Sequence, residues 1–345
     1  MAIYDIREAK ITEASAIQGF LDDHWKKNHS LVLSKELLDF QHLNGSDNQY
    51  NYVIASNNNT KEIDALFGFI PTYQYDRDLY CNGDFWGAIW KKRDDIDNEE
   101  SNEIGMDVFT RLFDYSNFHS FSAIGISKIA MKIYKAFQCK IGNLAQYYIL
   151  NDSIDNYKIA GNVDIKYIGE GNGFSKEPNW SIKEIDADAL KKQIIKAVYR
   201  PFKSVQYIIN RYAKHPIYKY KFLGVYKDVE LKTLLVIRIL NVNEAKAIRI
   251  VDAIGQLQGN LYDEFQTYLK EMGAEYIDFM NFGINEDVFY KMGFKKLNLE
   301  GSLIIPNYFE PFEQRNVKID IAWKADYEGY VAFKGDSDQD RPNIL

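Results

Sequence analysis

The sequence has few of the residues that mark several large classes of protein. Only two of its 345 residues are cysteine, Cys81 and Cys139, and they lie far apart. This excludes a disulfide framework and a cysteine-based metal site, and it fits a reducing cytoplasm. The five histidines are scattered and form no H-x-x-x-H pair, so we expect no bound metal.

Long apolar runs and basic surfaces are also missing. No segment approaches the roughly 20 apolar residues that a membrane span needs. The opening residues, MAIYDIREAK, carry charges and no apolar core, so we expect no secretory signal and a cytoplasmic location. The formal net charge is −7 and no arginine-rich helix is present, which argues against nucleic acid as a partner.

The chain is long, and it is rich in apolar and aromatic side chains. Its 345 residues favour two domains, and the 46% hydrophobic content is enough for two cores. Tyrosine (25 residues) and phenylalanine (21 residues) supply most of the aromatic content. Surfaces rich in tyrosine suit grooves that stack sugars or bases, although a single tyrosine more often packs in a core.

Two segments form a weak internal repeat. Residues 120–141 are SFSAIGISKIAMKIYKAFQCKI, and residues 275–297 are EYIDFMNFGINEDVFYKMGFKKL. Each consists of an apolar strand, a Gly-Ile-polar turn, an amphipathic helix, an aromatic-rich turn and a second strand. The repeat predicts two copies of one α/β module. Tyr134 in the first copy corresponds to Phe289 in the second, which suggests that only the first copy performs chemistry.

Hydrophobic periodicity predicts alternating strands and helices, and hence mixed α/β layers. We expect strands over 3–9, 52–55, 63–72, 83–91, 121–126, 144–150, 222–226, 231–240, 247–254, 276–279 and 299–306. We expect helices over 14–28, 35–42, 106–115, 128–137, 187–197, 204–212, 261–272 and 286–292. The Gly- and Asn-rich stretch after residue 160 predicts an N-terminal domain over 1–160, a linker over 161–180 and a C-terminal domain over 181–345.

This order of elements resembles the GNAT acyltransferase fold, present twice and covering essentially the whole chain. The layout also resembles the Fem-type peptidyltransferases, and it is most similar to bacterial tandem-GNAT nucleotide-sugar N-acyltransferases of surface-polysaccharide pathways. The segments that carry the resemblance are HWKKNH (24–29), the Ile-Gly pair at 104–105, AIGISKIAMKIYKAF (123–137), VDAIGQLQG (251–259), YIDFMNFGI (276–284) and GDSDQDRPN (335–343).

The resemblance implies that a loop opening a helix holds the pyrophosphate of coenzyme A on its backbone N–H groups. The matching segment, 102–107, gives Ile104, Gly105, Met106 and Asp107 as cofactor-binding residues. It has one glycine and acidic neighbours, which departs from the Gly-rich pattern of the family. Ser127, which ends the strand in AIGIS, is expected to face the pantetheine arm, to cap the following helix, or both.

The resemblance also implies a tyrosine that protonates the departing thiolate, four residues before the glycine of a closing Gly-Phe turn. The second domain has that turn at Gly293 but carries Phe289 at the tyrosine position. The first domain carries Tyr134 but has Gln138 in place of the glycine. We therefore predict that Tyr134 is a catalytic residue and that the first domain binds the acyl-CoA; the other interpretation of Tyr134 is a helix-surface aromatic.

Attack of an amine on a thioester needs positioning, oxyanion stabilisation by a backbone N–H of strand 83–91, and a route for the ammonium proton. The candidate bases are His24, Asp84 and His29. His24 ends the first helix, where GNAT domains form the acceptor pocket, and its usual pKa suits a base near neutrality. Asp84 precedes an aromatic strand whose apolar surroundings would raise its pKa. His24 and Asp84 also have structural interpretations: His24 as a histidine that favours the helix C-terminus, and Asp84 as a turn residue.

The predicted acceptor is a nucleotide-linked amino sugar between the two halves, most simply a dTDP-linked 3-amino-3,6-dideoxyhexose. The predicted substrate-binding residues are Trp25, Trp86, Asp252, Asp278, Asn281 and Arg341. Arg341 lies in an acidic tail, where it contacts phosphate or pairs with the neighbouring carboxylates. The predicted donor is acetyl-CoA or 3-hydroxybutanoyl-CoA. The alternatives are a Fem-type transferase that uses aminoacyl-tRNA and a degenerate GNAT pair that only binds ligand.

Overall fold

The structure is a computed structural model that describes residues 3–96, 101–171 and 177–343. Within these ranges the chain forms two large mixed β-sheets with helices packed against them, which confirms the predicted mixed α/β class. Burial is concentrated in the strands: all nine residues of the strand Ile63–Pro71 are buried.

The first part of the chain supplies most of the first sheet. Its strands are β1 (Tyr4–Lys10), β2 (Leu43–Asn44), β3 (Gln49–Asn57), β4 (Ile63–Pro71), β5 (Asp84–Lys92), β6 (Ser120–Ile124), β7 (Lys140–Asn143) and β8 (Ala145–Leu150). Its helices are α1 (Ala14–Phe20), continued by a π-helical turn (Leu21–Trp25), α2 (Ser30–Leu33), α3 (Lys35–His42), α4 (Ser101–Thr110) and α5 (Lys128–Ala136). Short 3₁₀ helices cover Ile11–Glu13, Thr72–Gln74, Arg77–Asn82, Arg111–Asp114 and Ile165–Tyr167.

The second part of the chain supplies most of the second sheet. Its strands are β9 (Trp180–Ile185), β10 (Tyr220–Lys227), β11 (Glu230–Val242), β12 (Ala245–Gly255), β13 (Tyr276–Phe282), β14 (Lys295–Lys296), β15 (Tyr308–Phe309), β16 (Phe312–Glu313), β17 (Asp320–Ala325) and β18 (Ala332–Phe333). Its helices are α6 (Ala187–Leu190), α7 (Val205–Ile208), continued by a π-helical turn (Ile209–Ala213), α8 (Tyr262–Met272) and α9 (Glu286–Lys291).

The two sheets share one strand order. The first runs β1-β3-β4-β5-β6-β17-β7, and the second runs β9-β10-β11-β12-β13-β8-β14. In each, the fourth and fifth strands are parallel, β5 with β6 and β12 with β13. β2 adds to β3, β18 adds to β13, and β15 and β16 pair with each other. The repeat seen in the sequence is therefore a repeat of topology.

Each sheet takes its sixth strand from the other part of the chain. β8, within the range assigned to the N-terminal domain, pairs with β13 of the second sheet. β17, within the range assigned to the C-terminal domain, pairs with β6 and β7 of the first sheet. We use "first half" and "second half" for the two sheets with their helices. The exchange ties the halves together through backbone hydrogen bonds, which are obligatory for buried backbone groups.

The halves also share an apolar core. Ile70 and Trp86 of the first sheet pack with Tyr207, Tyr212 and Val251 of the second half. Side chains alternate along each strand, so the residues before and after Trp86 face the opposite side, toward α4 and α5. The face of the first sheet that carries Trp86 is therefore the face between the halves.

Three predicted elements differ in the structure. The segment 102–107, predicted as a loop, lies inside α4, because Ile104, Val108 and Leu112 recur at helical spacing on a buried face. The helix predicted over 187–197 ends at Leu190. The strand predicted over 299–306 is not formed; Ile304 makes only an isolated bridge to Gly161.

Candidate functional site

The parallel strands β5 and β6 diverge halfway along their length. They pair from Asp84–Ser120 to Gly87–Ala123, and no pairing follows, although β5 continues to Lys92. We call the Gly87–Ala123 pair the vertex. Beyond it, the backbone groups of β5 that face β6 are left without a strand partner, which makes the gap a place where an extended ligand can add to the sheet.

A β-bulge lies directly beyond the vertex. Phe69 pairs with Gly87 and Phe67 pairs with Trp90, so Ala88 and Ile89 together oppose Gly68. A bulge leaves one residue outside the ladder and re-aims its backbone. Gly68 has no room for a side chain, because a Cβ there would lie 2.6 Å from the ring of Tyr52. The bulge thus interrupts the β4–β5 ladder beside the vertex, at Ala88 and Ile89.

A cleft of about 420 Å³ opens beyond the vertex between β5, α4 and α5, and we call it the α5 cleft. It is lined by Trp90, Lys91, Lys92, Asp94, Gly105, Met106, Ser127, Ile129, Ala130 and Ile133. Ser127 lines the cleft and also caps α5, since its hydroxyl oxygen accepts the Ala130 N–H at 3.1 Å. Both roles expected for this serine are therefore compatible with its position.

Tyr134 lies one helical turn after Ala130 and packs behind the α5 cleft. Its ring contacts those of Trp90 and Phe109, each at a centroid distance of 5.3 Å. The side chain is almost fully buried, and this burial raises the pKa of the Tyr134 phenol well above its ordinary value. The hydroxyl therefore keeps its proton at physiological pH and is available as a hydrogen-bond donor.

The other predicted cofactor residues are on α4. Gly105 and Met106 line the α5 cleft, and the Gly105 carbonyl accepts the Trp90 indole N–H at 2.6 Å. Ile104 is buried in the core and Asp107 is exposed, and neither is among the residues that line the cleft. Desolvation and the nearby charge of Glu103 raise the pKa of Asp107.

The corresponding gap in the second half is filled by the chain itself. β12 and β13 pair only from Ile248–Ile277 to Ile250–Phe279. Beyond that point β18 pairs with β13, and the Gly335 N–H donates to the Val251 carbonyl of β12 at 2.7 Å. Only about 10 Å³ remains beside it, lined by residues that include Tyr199, Val331 and Phe333. An extended ligand therefore has room in the first half and none in the second.

Asp84 opens onto a different cleft, about 200 Å³ in volume, on the face between the halves. We call it the Asp84 cleft; it is lined by Cys81, Asn82, Asp84, His119, Arg200, Phe202, Asp326 and Tyr327. One oxygen of Asp84 accepts hydrogen bonds from the hydroxyls of Ser120 (2.5 Å) and Tyr327 (2.9 Å). Burial outweighs these bonds and raises the pKa of Asp84 to about 6.

A cation and two aromatic rings stand opposite Asp84. The Arg200 guanidinium lies over the rings of Phe202 and Tyr327, at 4.9 and 5.0 Å from their centroids. His119 contacts Asp326 at 2.6 Å at the rim. Arg200 and His119 were not predicted from the sequence, because a single Arg or His far from any motif gives no signal until the fold places it beside Asp84.

The structure does not gather the three predicted catalytic side chains at one point. Asp84 precedes the bulge residue Ala88 by four positions on the strand, or about 13 Å. Tyr134 lies on the other side of the first sheet. His24 is in the π-helical turn after α1, where its ring packs on Phe20 at 5.1 Å. His29 caps α2, and burial lowers its pKa to about 3.

The predicted substrate-binding carboxylates are held in buried ion pairs. Asp252 contacts Lys203 at 2.6 Å, and Asp278 contacts Arg249 at 2.8 Å. Arg341 pairs with Asp338, a neighbouring carboxylate, which is the second of the two roles expected for it. These charges therefore already have partners within the fold.

The remaining predicted substrate residues are a tryptophan pair and an asparagine. Trp86 is fully buried between the halves, whereas Trp25 is 43% exposed on the surface. Asn281 is buried in β13, where its backbone pairs with Phe333 of β18. Along β5, Trp86 lies between Asp84 and the bulge, but it is not among the residues that line the Asp84 cleft.

The described residues contain no group of three or more His, Cys, Asp or Glu side chains placed to hold a metal ion. Among the same residues, no helix combines the length and the apolar character that crossing a bilayer requires.

Comparison with known proteins gives matches among solved structures. A GCN5-related N-acetyltransferase from Anabaena variabilis superposes with a TM-score of 0.53 at 9% identity, covering 93% of this chain and 72% of that one. A conserved protein of unknown function from Enterococcus faecalis, described as a probable N-acyltransferase, superposes with a TM-score of 0.51 at 8% identity, covering 94% and 72%. No protein-family model and no curated protein sequence matches the chain. The chain therefore has the fold of the GCN5-related N-acetyltransferases, in two tandem copies, as predicted.

Proposed function

We propose that the protein is an N-acyltransferase that takes its acyl group from an acyl-CoA bound in the first half. The observation that carries the proposal is the difference between the two gaps: the first is open and leads to a cleft of about 420 Å³, and the second is filled by β18. The pantetheine arm is a narrow chain with two amides, which suits a gap between diverging strands. The structural likeness to an N-acetyltransferase also supports this proposal.

The proposed chemistry uses groups on both sides of the vertex. The amine nitrogen attacks the thioester carbon, and the backbone N–H at the bulge residues Ala88 and Ile89 stabilises the developing oxyanion. The C–S bond then breaks, the thiolate takes the phenolic proton of Tyr134, and the phenolate regains a proton from solvent before the next turnover. The proton lost by the amine passes through water to Asp84, since about 13 Å of strand separates Asp84 from Ala88. The net result is an amide and free CoA.

For the phosphates of the donor, the α5 cleft offers two lysines. Lys91 and Lys92 line the α5 cleft, but Lys91 is already paired with Asp94 at 2.6 Å. Glu103 and Asp107 add negative charge on α4. In the proposed complex Ser127, Gly105 and Met106 contact the pantetheine arm, and the phosphates bind the two lysines after Lys91 leaves Asp94.

For the acceptor we propose a nucleotide-linked amino sugar in the Asp84 cleft. Arg200 supplies a cation for a diphosphate, the rings of Phe202 and Tyr327 offer faces for a base or a hexose, and Asp84 takes up the proton of the amine through water. The specific proposal is a dTDP-linked 3-amino-3,6-dideoxyhexose for surface-polysaccharide synthesis, with acetyl or 3-hydroxybutanoyl as the acyl group. The reaction would run in the cytoplasm, where both substrates are made.

Mass spectrometry of reaction mixtures tests the proposal. The purified protein is incubated with acetyl-CoA or 3-hydroxybutanoyl-CoA and a panel of dTDP- and UDP-linked amino sugars. We expect one acylated nucleotide sugar, with free CoA released in equal amount. CoA binding without any product would support the proposed donor site and reject the proposed acceptor. Absence of CoA binding would reject the function and favour the tRNA-dependent or non-catalytic alternatives.

A further inference from the structure

The C-terminal tail crosses from the second sheet to the vertex of the first. After β18, the tail is anchored by Asp336, whose carboxylate contacts Lys203 at 2.6 Å. Two side chains then reach the diverging strands. The Ser337 hydroxyl donates to the Gly87 carbonyl of β5 at 2.5 Å. The Gln339 carboxamide N–H donates to the Ile124 carbonyl of β6 at 2.8 Å. The tail thus makes one hydrogen bond to each strand where the two separate.

The carboxamide of Gln339 lies flat against Gly125, the residue after β6. A Cβ at position 125 would stand 2.7 Å from its nitrogen and 2.8 Å from its oxygen. Gly125 also has a φ of +77°, a conformation that glycine adopts without strain. Two residues farther along, Ser127 lines the α5 cleft. Gln339 therefore lies beside the vertex, next to the segment that leads from β6 to Ser127 at the wall of the α5 cleft.

The two polar atoms of the carboxamide are used differently. The nitrogen is bonded to Ile124, whereas the oxygen has no hydrogen-bond partner among the residues that the structure describes. The side chain is half-buried, so a ligand can reach that oxygen. A carboxamide oxygen only accepts hydrogen bonds, and its counterpart must be an N–H or O–H group.

The second half shows what kind of ligand fits such a gap. There the occupant is a peptide strand, β18 with its flanking residues, and it offers amide N–H groups to the carbonyls on both sides: Lys334 to Met280 at 3.2 Å and Gly335 to Val251 at 2.7 Å. A donor arm built from amides presents the same groups. In the first half, Gln339 replaces part of such a strand and leaves one acceptor free.

We propose that Gln339 is a binding residue for the acyl donor, contributed by the tail of the second half to the active site of the first. Its carboxamide oxygen accepts the amide N–H of the donor arm nearest the thioester, while its nitrogen stays on Ile124. This rests on the proposed function and adds to it a residue that neither the repeat nor the fold assigns. The opposite role, a plug that the donor must displace, predicts the opposite change on removal.

Donor binding distinguishes these roles. The dissociation constant of CoA and of acetyl-CoA is measured by calorimetry for the wild type, Gln339→Ala and Gln314→Ala. Gln314 is a matched control, since its side-chain N–H also donates to a backbone carbonyl, that of Ile159 at 3.1 Å, away from the α5 cleft. We expect binding by Gln339→Ala to weaken by about threefold to tenfold, as for one hydrogen bond, with Gln314→Ala unchanged.

In kinetic terms, Gln339→Ala should affect the KM of one substrate and not that of the other. In steady state, Gln339→Ala should raise the KM for acyl-CoA and leave the KM for the amine unchanged. Equal or tighter CoA binding by Gln339→Ala would overturn the role of Gln339 while the proposed function stands. A wild-type protein that binds CoA but transfers no acyl group to the panel would overturn the proposed acceptor and leave the role of Gln339 in donor binding standing. A wild-type protein that does not bind CoA would overturn both.

Discussion

Tyr134 and Phe289 occupy the same place in the two halves. The carbonyl of each accepts the N–H of the residue five positions later, Cys139 and Phe294, at 2.9 Å in both cases. Between them, Gln138 and Gly293 both have positive φ, +62° and +93°. The two turns therefore share one geometry, although the first has glutamine where the second has glycine. The difference that remains is the hydroxyl group of Tyr134.

Replacing that hydroxyl tests its role. Tyr134→Phe should lower kcat by about 10²-fold or more, because the thiolate would leave without a proton donor. The variant should fold normally, since its aromatic contacts with Trp90 and Phe109 do not involve the hydroxyl. The rate of CoA release measures the loss of activity, and thermal unfolding checks that the variant folds. Full activity in Tyr134→Phe would remove the tyrosine from the mechanism.

The reverse change in the second half is the matched control. Phe289 stacks on Tyr147 at 4.0 Å inside an apolar core. A hydroxyl introduced by Phe289→Tyr would be buried there, and we expect a loss of stability of about 1–3 kcal/mol and no new activity. Acyl transfer gained by this variant would contradict the assignment of the donor to the first half.

The pH dependence of the reaction reports on Asp84. A base must be unprotonated, and the pKa of Asp84 is about 6, so kcat/KM should rise with pH below 6 and level off above it. Asp84→Asn should remove this limb and lower the rate. Ser120→Ala should move the limb to higher pH, because the Ser120 hydroxyl donates to the carboxylate and favours its charged form. A pH profile of Asp84→Asn equal to that of the wild type would contradict the role of Asp84.

The same pKa has a consequence for stability. An aspartate has a pKa of roughly 3.9 when unfolded, so between pH 4 and 6 the folded state binds more protons than the unfolded state. The free energy of unfolding must therefore fall as pH rises through this window, by about 2–3 kcal/mol in all. Asp84→Asn should be more stable than the wild type at pH 8 by a similar amount, and no more stable at pH 4. Urea unfolding at the two pH values measures this.

Buried ion pairs, rather than apolar contacts alone, hold the tail in place. Lys203 contacts Asp252 and Asp336, each at 2.6 Å, and all three side chains are buried. Lys203→Met would leave two buried carboxylates uncompensated, so we expect a loss of about 3–5 kcal/mol. Lys191→Met is the control, since Lys191 pairs with Asp188 on the surface, and its loss should cost about 0.5 kcal/mol or less. Equal unfolding midpoints for the two variants would contradict this account of the tail.

The sequence predicted the features that depend on near neighbours. Alternating apolar residues located β3, β4 and β5, and the spacing of the repeat paired Tyr134 with Phe289. The exchange of β8 and β17 was not predictable in this way, because an apolar strand such as AQYYIL suits either sheet. Its place is decided by strands more than 100 residues away, such as β13.

The tail shows the same limit more sharply. Six charged or polar residues in GDSDQDR indicate a solvated segment, yet Asp336 is fully buried. It is buried because Lys203, 133 positions earlier, meets it at 2.6 Å. Likewise, Gln339 contacts Ile124 across 215 positions. Asp84, Ser127 and Tyr134 could be named from local patterns, whereas Arg200 and Gln339 required the assembled fold.

The contact between Gly125 and Gln339 gives the last prediction. Gly125→Ala places a methyl group at the position of the Gln339 carboxamide and forces a side chain into a φ of +77°. Gly329→Ala separates the two effects, since Gly329 has a φ of +74° and nothing within 4 Å of its Cβ position. Both variants should lose about 1–2 kcal/mol of stability from the backbone. Only Gly125→Ala should also weaken CoA binding.

A double-mutant cycle completes this test, because the methyl group acts on donor binding through Gln339. Once Gln339→Ala has removed the carboxamide, adding Gly125→Ala should weaken CoA binding no further, so the two effects should be strongly non-additive. Calorimetric titration of CoA into the four proteins gives the coupling. Simple additivity would mean that Gly125 affects the α5 cleft directly and not through Gln339.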